Sequence, residues 1–351
     1  MVRRLISKKK LNTIHAKTAF VTASVVGGIV LFLVGFLWIG LPNPPKRLES
    51  TGVTFSVPYA EELGLNWREV LIAALDDLKI RTFRIPAYWS RTEPQKNQFT
   101  WLELDYQMDE IGARGGKVVL GVGAKLPRWP ECWIPDWASQ HGKDAEREAR
   151  LNYIRAVVER YRNHYALSSW QVENEALFQF GICPEPDRNL LKEEIALVRS
   201  LDISHPIATT DSGELSLWVS AGSLVDRLGI STYRVVRTFW GATWDYTFIP
   251  TYWYARRAAL IRPWVKDVYV SEFQMEPWVD SSIQQTPIAE QTAFFSPERM
   301  ERHFAFAERM GFKDVSFWGI EWWWWMKVKQ GDDRFWEIAK AFFTRHGPVS
   351  P

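Results

Sequence analysis

The sequence predicts an α/β protein, a (β/α)8 TIM barrel preceded by one N-terminal transmembrane helix. Three observations predict this fold class. The chain of 351 residues is 46% hydrophobic and 24% charged, which is ordinary for a globular protein. After residue 50, short apolar runs alternate with amphipathic stretches eight times. One long uncharged segment also stands near the N terminus.

The N-terminal segment is typical of a membrane anchor. Residues 18–41 carry no charge, and about 20 apolar residues suffice for a helix to cross a membrane. Residues 1–17 carry only basic charges, so we expect this tail to stay in the cytoplasm. We interpret 18–41 as an uncleaved signal anchor, with a cleaved signal peptide as the alternative. Residues 42–50 then form a Pro-rich linker, and residues 51–346 form the barrel. We expect a single-pass protein of the cell membrane, with its barrel outside the cytoplasm.

The charge and the motifs of the chain exclude several classes of function. The formal net charge is +2, and all of the excess positive charge lies in the basic tail. No basic stripe remains, so we exclude nucleic acid as a partner. The histidines and cysteines lack the spacing of metal ligands, and no glycine-rich phosphate loop opens a helix, so we predict no metal or cofactor. We also predict a monomer.

The eight apolar runs are the predicted barrel strands. Several are apolar along their whole length, as parallel strands buried on both faces should be. A doubly wound open sheet is the alternative, but it usually has fewer strands. The predicted strands, in order, are residues 51–57, 81–86, 117–123, 168–174, 206–211, 226–232, 267–273 and 314–320.

In a barrel of this kind the site lies where the strands end and in the loops beyond. The chain has 20 tryptophans, more than a core requires, which predicts aromatic platforms for a ligand. The candidate residues at these ends are Arg84 and Trp89 (second strand), Trp129 (third), Asn174 and Glu175 (fourth), Tyr233 (sixth), Glu272 (seventh), and Trp318 and Trp322 (eighth).

The two cysteines follow neighbouring strands. Cys132 lies beyond the third predicted strand and Cys183 beyond the fourth, so their loops should meet on one rim of the barrel. We predict a disulfide bond between them, which an oxidising compartment would permit. Two buried free thiols are the alternative.

Glu175 and Glu272 form the candidate catalytic pair. Two carboxyl groups facing each other across a barrel mouth meet the requirement for cleaving a glycosidic bond. Aromatic platforms suit a pyranose ring, whose faces are apolar. Glu276, in the loop after the seventh strand, is the rival of Glu272. Glu173 lies one alternation inward from Glu175 along the same strand. We expect it to form an ion pair with a cationic side chain of the barrel and to take no part in catalysis.

These residues resemble the clan A retaining glycoside hydrolases, a barrel group with cellulase-like (glycoside hydrolase family 5-like) and β-galactosidase-like members. The resemblance rests on Asn174-Glu175, on Glu272 in "VYVSEFQ", on "FRIPAYWSRTEP" and on "SFWG". It implies that Glu175 is the acid/base and Glu272 the nucleophile of a β-glycosidase that acts on a carbohydrate. The implied supporting roles are hydroxyl binding by Asn174, stabilisation of the ionised nucleophile by Arg84 and Tyr233, and a sugar platform by Trp318.

Two other functions stay open at this point. A carbohydrate-binding barrel without turnover would not need both glutamates, and here both are present. A transglycosidase shares the covalent intermediate but passes the sugar to another sugar. Neither the identity of the sugar nor the choice between internal and terminal cleavage follows from the sequence.

Overall fold

The predicted barrel is confirmed in the computed structural model, which describes residues 22–37, 48–140, 142–237, 241–279 and 282–347. Eight parallel strands close in chain order, with the first strand paired to both the second and the eighth. The strands are β1 (Ser50–Thr54), β2 (Thr82–Pro86), β3 (Lys117–Val122), β4 (Leu167–Val172), β5 (Ile207–Ser212), β6 (Arg227–Thr232), β7 (Val268–Gln274) and β8 (Asp314–Trp318).

Helices surround this barrel, and several of them begin at a capping side chain. Asp187 accepts hydrogen bonds from the backbone of Asn189 and Leu190, which satisfies donors at the start of one helix. The barrel helices are Val57–Glu62, Trp67–Asp76, Trp89–Thr92, Leu102–Ala113, Asp136–Ser139, Lys143–Tyr161, Arg188–Leu201, Val219–Gly222, Thr251–Ile261, Ile288–Phe294, Pro297–Arg309, Ile320–Lys329 and Arg334–His346, with a 3-10 turn at Ile283–Gln285. A two-stranded antiparallel ribbon, Val235–Arg237 with Thr243–Asp245, was not predicted.

The alternation of side chains along each strand separates the core from the site. On β4, Trp170 faces the helices, where its indole N–H donates to Asp202 Oδ2 at 2.8 Å. The next residue, Gln171, faces the barrel interior, where its Oε1 accepts from Arg84 Nε at 2.6 Å. Apolar side chains therefore fill the layer between barrel and helices, and polar side chains collect at the mouth.

The N-terminal helix covers residues 22–37, and most of its side chains are exposed. Within the described parts of the chain, no helix has both the length and the apolarity needed to cross a membrane. The remainder of the predicted anchor, residues 18–21 and 38–41, lies outside the described residues, and so do the basic tail and most of the linker. The anchor stays a prediction.

Candidate active site

The end of β4 makes a left-handed turn that sorts its glutamates. Glu173 and Glu175 have φ angles of +58° and +44°, a region that residues with a side chain seldom adopt. The carboxylate of Glu173 turns back to accept from the backbone N–H groups of Ala124 (2.8 Å) and Lys125 (2.5 Å). Glu175 instead faces the mouth. The strained turn therefore directs the carboxyl groups of Glu173 and Glu175 away from each other.

Glu173 is paired with a cation, as the sequence suggested, and this cation belongs to a surrounding helix. Arg150 Nη1 is 3.5 Å from Glu173 Oε1, and Arg150 belongs to the helix Lys143–Tyr161. Glu173 thus joins β3, β4 and a surrounding helix, which is a structural role.

Glu272, at the end of β7, faces a cation and a hydroxyl group. The guanidinium of Arg84 forms a buried ion pair with Glu272 Oε1 through Nη1. Tyr233 Oη donates to the other oxygen, Oε2, at 3.0 Å. Both interactions stabilise the charged carboxylate. The geometry therefore suits Glu272 to the role of an ionised nucleophile.

Glu175 occupies a different electrostatic setting. Ser231 Oγ donates to Glu175 Oε1 at 2.5 Å, and Thr210 Oγ1 accepts from the Glu175 backbone N–H at 2.7 Å. Burial, followed by the nearby charge of Glu272, raises the pKa of Glu175 to about 7, although the hydrogen bond from Ser231 opposes the rise. A carboxyl group with this pKa holds a proton near neutral pH and can donate it.

Asn174 has a fixed orientation between these two glutamates. Its Oδ1 accepts from Arg84 Nη2 at 2.7 Å and from Thr210 Oγ1 at 2.8 Å. Its Nδ2 donates to Glu131 Oε2 at 3.1 Å. Because the carbonyl oxygen is occupied twice, only the amide nitrogen can meet a ligand.

The rival carboxylate, Glu276, is held in a separate cluster. Arg128 pairs with Glu276 and also with Glu321, whose Oε2 lies 3.0 Å from Nη2. Trp318 Nε1 donates to Glu276 Oε1 at 2.7 Å. The guanidinium carbon of Arg128 lies 3.6 Å from the ring centroid of Tyr59 and 3.9 Å from that of Trp318. One face of Trp318 is therefore covered by Arg128, and only the other can face a sugar.

The other predicted tryptophans divide between core and surface. The structure does not bring Trp89 or Trp322 to the mouth, because both are fully buried. The ring centroids of Trp89 and Tyr153 are 5.4 Å apart in a stacked pair. Those of Trp322 and Phe335 are 4.5 Å apart, and the indole N–H of Trp322 donates a hydrogen bond to another core side chain. Trp129 is 65% exposed on the β3 loop, so a role as a subsite wall stays a prediction.

The predicted disulfide is confirmed. Cys132 and Cys183 are bonded, with their Cα atoms 5.3 Å apart. The bond joins the loops after β3 and β4, as the neighbouring positions of these strands required. It therefore fixes the loop that carries Trp129 and Glu131 against the loop that follows Glu175.

Three functional neighbours were missed in the sequence. Ser231 lies two residues before Tyr233, so a period-two search along β6 could have found it. Glu131 and Arg128 lie in an irregular loop, where both adopt left-handed backbone angles. No periodicity exists there, and the sequence carried no signal for their direction.

A barrel with glutamates at the ends of β4 and β7 is the arrangement expected of clan A glycoside hydrolases, and comparison with known proteins supports that class. A family model described as β-galactosidase (Glyco_hydro_42) matches residues 66–189, about a third of the chain. The matched region contains Arg84, Asn174 and Glu175 and stops before Glu272.

Curated relatives also match over part of the chain. Mannan endo-1,4-β-mannosidase F of Aspergillus fumigatus is 41% identical over 61 residues, which cover 17% of this chain and 14% of that protein. β-Galactosidase BgaA of Clostridium cellulovorans is 25% identical over 166 residues, which cover 41% of this chain and 25% of that protein. The chain thus spans less than half the length of these relatives.

Among solved structures, a cold-adapted β-galactosidase from Rahnella sp. R3 superposes with a TM-score of 0.59 at 14% identity. The superposition covers 87% of this chain and 57% of the other. At this identity the likeness concerns the fold. The fold, the family match and the relatives together support a glycosidase of the clan A barrel group.

Proposed function

We propose that the chain is a retaining β-glycoside hydrolase that cleaves β-linked oligo- or polysaccharides by double displacement. One observation carries this proposal: the two buried carboxyl groups at the mouth have opposite surroundings. Glu272 meets the guanidinium of Arg84, whereas Glu175 meets the hydroxyl of Ser231. Within the described residues, Glu175 forms no ion pair. One group is thus suited to be charged and the other to hold a proton.

The reaction then follows from these protonation states. Glu175 donates its proton to the glycosidic oxygen as the bond between that oxygen and the anomeric carbon breaks. Glu272 attacks the same carbon and forms a glycosyl ester. Glu175, now a carboxylate, accepts a proton from water, whose oxygen displaces Glu272. Two displacements return the sugar with its original configuration.

The proposal is tested with the full-length chain, purified in a mild detergent, on a panel of aryl β-glycosides and β-linked polysaccharides. The relatives named for mannan and β-galactoside put those sugars first on the panel. We expect turnover on one sugar class, and its loss in both Glu175→Gln and Glu272→Gln. Sugar binding without turnover in the unmodified chain would favour the carbohydrate-binding alternative. Turnover that survives Glu272→Gln would point to Glu276.

Transglycosylation is the second candidate, and an aromatic row at the mouth favours it. Tyr233 lies 5.2 Å from Trp278, ring centroid to ring centroid, and Trp278 lies 6.0 Å from Phe180. This row leads away from Glu272 over partly exposed rings and could hold an acceptor sugar. Longer oligosaccharides formed in the presence of added acceptor would distinguish transfer from hydrolysis.

We further propose that the barrel lies outside the cytoplasm and is anchored to the cell membrane by residues 18–41. The basic tail followed by an uncharged segment supports this location, and so does the disulfide, which is typical of oxidising compartments. Protease added to intact cells should degrade the barrel, and alkaline carbonate should not extract it. Release by carbonate would contradict the anchor.

A further inference from the structure

We propose that Glu131 is a specificity-determining residue, which accepts a hydrogen bond from the substrate hydroxyl on the ring carbon next to the reacting carbon. The inference rests on the proposed glycosidase function and deepens it. Asn174 and Glu131 would bind this hydroxyl together, one as donor and the other as acceptor.

The amide of Asn174 is fixed in one orientation. Its carbonyl oxygen already accepts from Arg84 and Thr210, so only Nδ2 is available, and an amide nitrogen can only donate. A hydroxyl group that accepts from Nδ2 still has its own hydrogen to donate. Glu131 Oε2 lies 3.1 Å from Nδ2 and is placed to accept that hydrogen.

Glu131 is 7% exposed, and within the described residues it forms no ion pair. Burial, then the charges of Glu272 and Glu175, raise the pKa of Glu131 well above its usual range. A carboxyl group in this position costs free energy, and an apolar side chain would fill the space at lower cost. Its position beside the catalytic pair indicates that this unfavourable burial serves the function of the site.

The backbone around Glu131 is held from several sides. Its N–H donates to Arg128 O and its carbonyl accepts from Leu126 N, both at 2.8 Å. A Cβ added to Gly181, which has a φ of +80°, would lie 2.5 Å from Glu131 Cβ, so the β4 loop approaches this closely only because residue 181 is glycine. The disulfide at Cys132 follows directly. The carboxyl group is therefore preorganised rather than mobile.

A fixed acceptor on one side of a ring carbon distinguishes the two epimers at that carbon. An equatorial and an axial hydroxyl point in different directions, and only one can reach both Asn174 Nδ2 and Glu131 Oε2. A site built around a hydroxyl also rejects the analogue that lacks it, because its polar groups are then left unpaired.

The test uses three aryl β-glycosides: the preferred sugar, its epimer at this carbon, and the 2-deoxy glycoside that both epimers share. In Glu131→Met we expect kcat/KM on the preferred sugar to fall at least about tenfold, and kcat/KM on the 2-deoxy glycoside to change less than about twofold. The preference between epimers should shrink by the same factor. Glu131→Gln, which keeps an acceptor oxygen, should restore part of the loss.

Should Glu131→Met fail to fold, Glu131→Asp keeps the carboxyl group but withdraws its oxygen by one methylene, and the same pattern is expected. Equal losses on the hydroxylated and 2-deoxy glycosides in folded variants would overturn the role of Glu131 and leave the glycosidase proposal intact. Absence of turnover by the unmodified chain on every substrate would overturn both.

Discussion

At the scale of single residues, the site shows how neighbours assign different roles to one type of side chain. Glu272 and Glu175 are both buried at strand ends, yet a guanidinium faces one and a serine hydroxyl the other. The charge of Glu272 itself contributes to the raised pKa of Glu175. A change at Glu272 should therefore alter the protonation of Glu175.

The raised pKa predicts a pH dependence for hydrolysis. Glu175 must be protonated to act as acid, so kcat/KM should fall as pH rises through about 7. In Ser231→Ala this fall should move to higher pH, because the hydrogen bond from Ser231 stabilises the carboxylate and lowers the pKa. Thr209→Val is the matched control, since Thr209 Oγ1 is buried with no hydrogen-bond partner among the described residues. Profiles that move to lower pH in Ser231→Ala would contradict the assignment.

The same raised pKa predicts that Glu175→Gln increases stability at alkaline pH. A carboxyl group with a pKa of about 7 when folded, against 4.5 when free, disfavours folding increasingly as pH rises from 4.5 to 7. The full cost is on the order of 3 kcal/mol. Glu175→Gln removes it, so its melting temperature should exceed that of the unmodified chain by several degrees at pH 8 and match it at pH 4. Equal melting temperatures at both pH values would show that Glu175 is not perturbed.

At the scale of elements, the loops after β3 and β4 form one connected unit. The disulfide spans 51 residues of sequence, and Lys125 adds hydrogen bonds from Nζ to the carbonyl oxygens of Glu175 (3.0 Å) and Phe178 (2.6 Å). These contacts hold the turn that carries Glu175 against the loop that carries Arg128 and Glu131. The rim therefore behaves as a rigid frame for the substrate.

Removal of the disulfide should destabilise this frame. In a variant with both Cys132→Ala and Cys183→Ala, we expect a loss of about 2–4 kcal/mol, because the unfolded chain gains conformational freedom. Thermal melts with and without reductant provide the check. Reductant should lower the melting temperature of the unmodified chain and leave that of the double variant unchanged. If reductant leaves the melting temperature of the unmodified chain unchanged, a stabilising role of the disulfide is contradicted.

The cluster around Arg128 makes a second prediction at this scale. Arg128→Met would leave Glu276 and Glu321 buried without their cation, and breaking such a pair costs about 3–5 kcal/mol. Arg147→Met is the matched control, because Arg147 is exposed, its partner Glu193 is partly exposed, and such surface pairs contribute less than about 1 kcal/mol. Denaturant titration of both variants measures the difference. Equal losses would mean that burial of the cluster has no energetic consequence.

At the scale of the whole molecule, the barrel was predictable because its signal repeats. Eight apolar runs at regular spacing each need a helix to cover them, so local patterns such as "KVVLGVG" add up to one topology. Glu175 and Glu272 were predictable for the same reason, since strand ends locate the site. The partners of Glu272, which are Arg84 and Tyr233, followed from the resemblance.

The features that the sequence did not reveal lie where the regular pattern of apolar residues ends. Trp322 stands in a run of four tryptophans, and only the rotation of its helix decides that it enters the core. Trp89 is likewise buried by the packing of a neighbouring helix. The direction of Glu131 depends on left-handed backbone angles and on the close approach of Gly181, which are tertiary properties. These features are set by packing between elements, to which a single sequence gives no direct access.

The central claim is that Glu272 forms a covalent bond with the sugar. The most direct measurement treats the full-length chain with the 2-deoxy-2-fluoro β-glycosyl fluoride of the preferred sugar and locates the added mass by peptide mapping. The account predicts one fluorosugar per chain, on the peptide that contains Glu272, and none in Glu272→Gln. An adduct on Glu276, or an active chain that never forms an adduct, would contradict it.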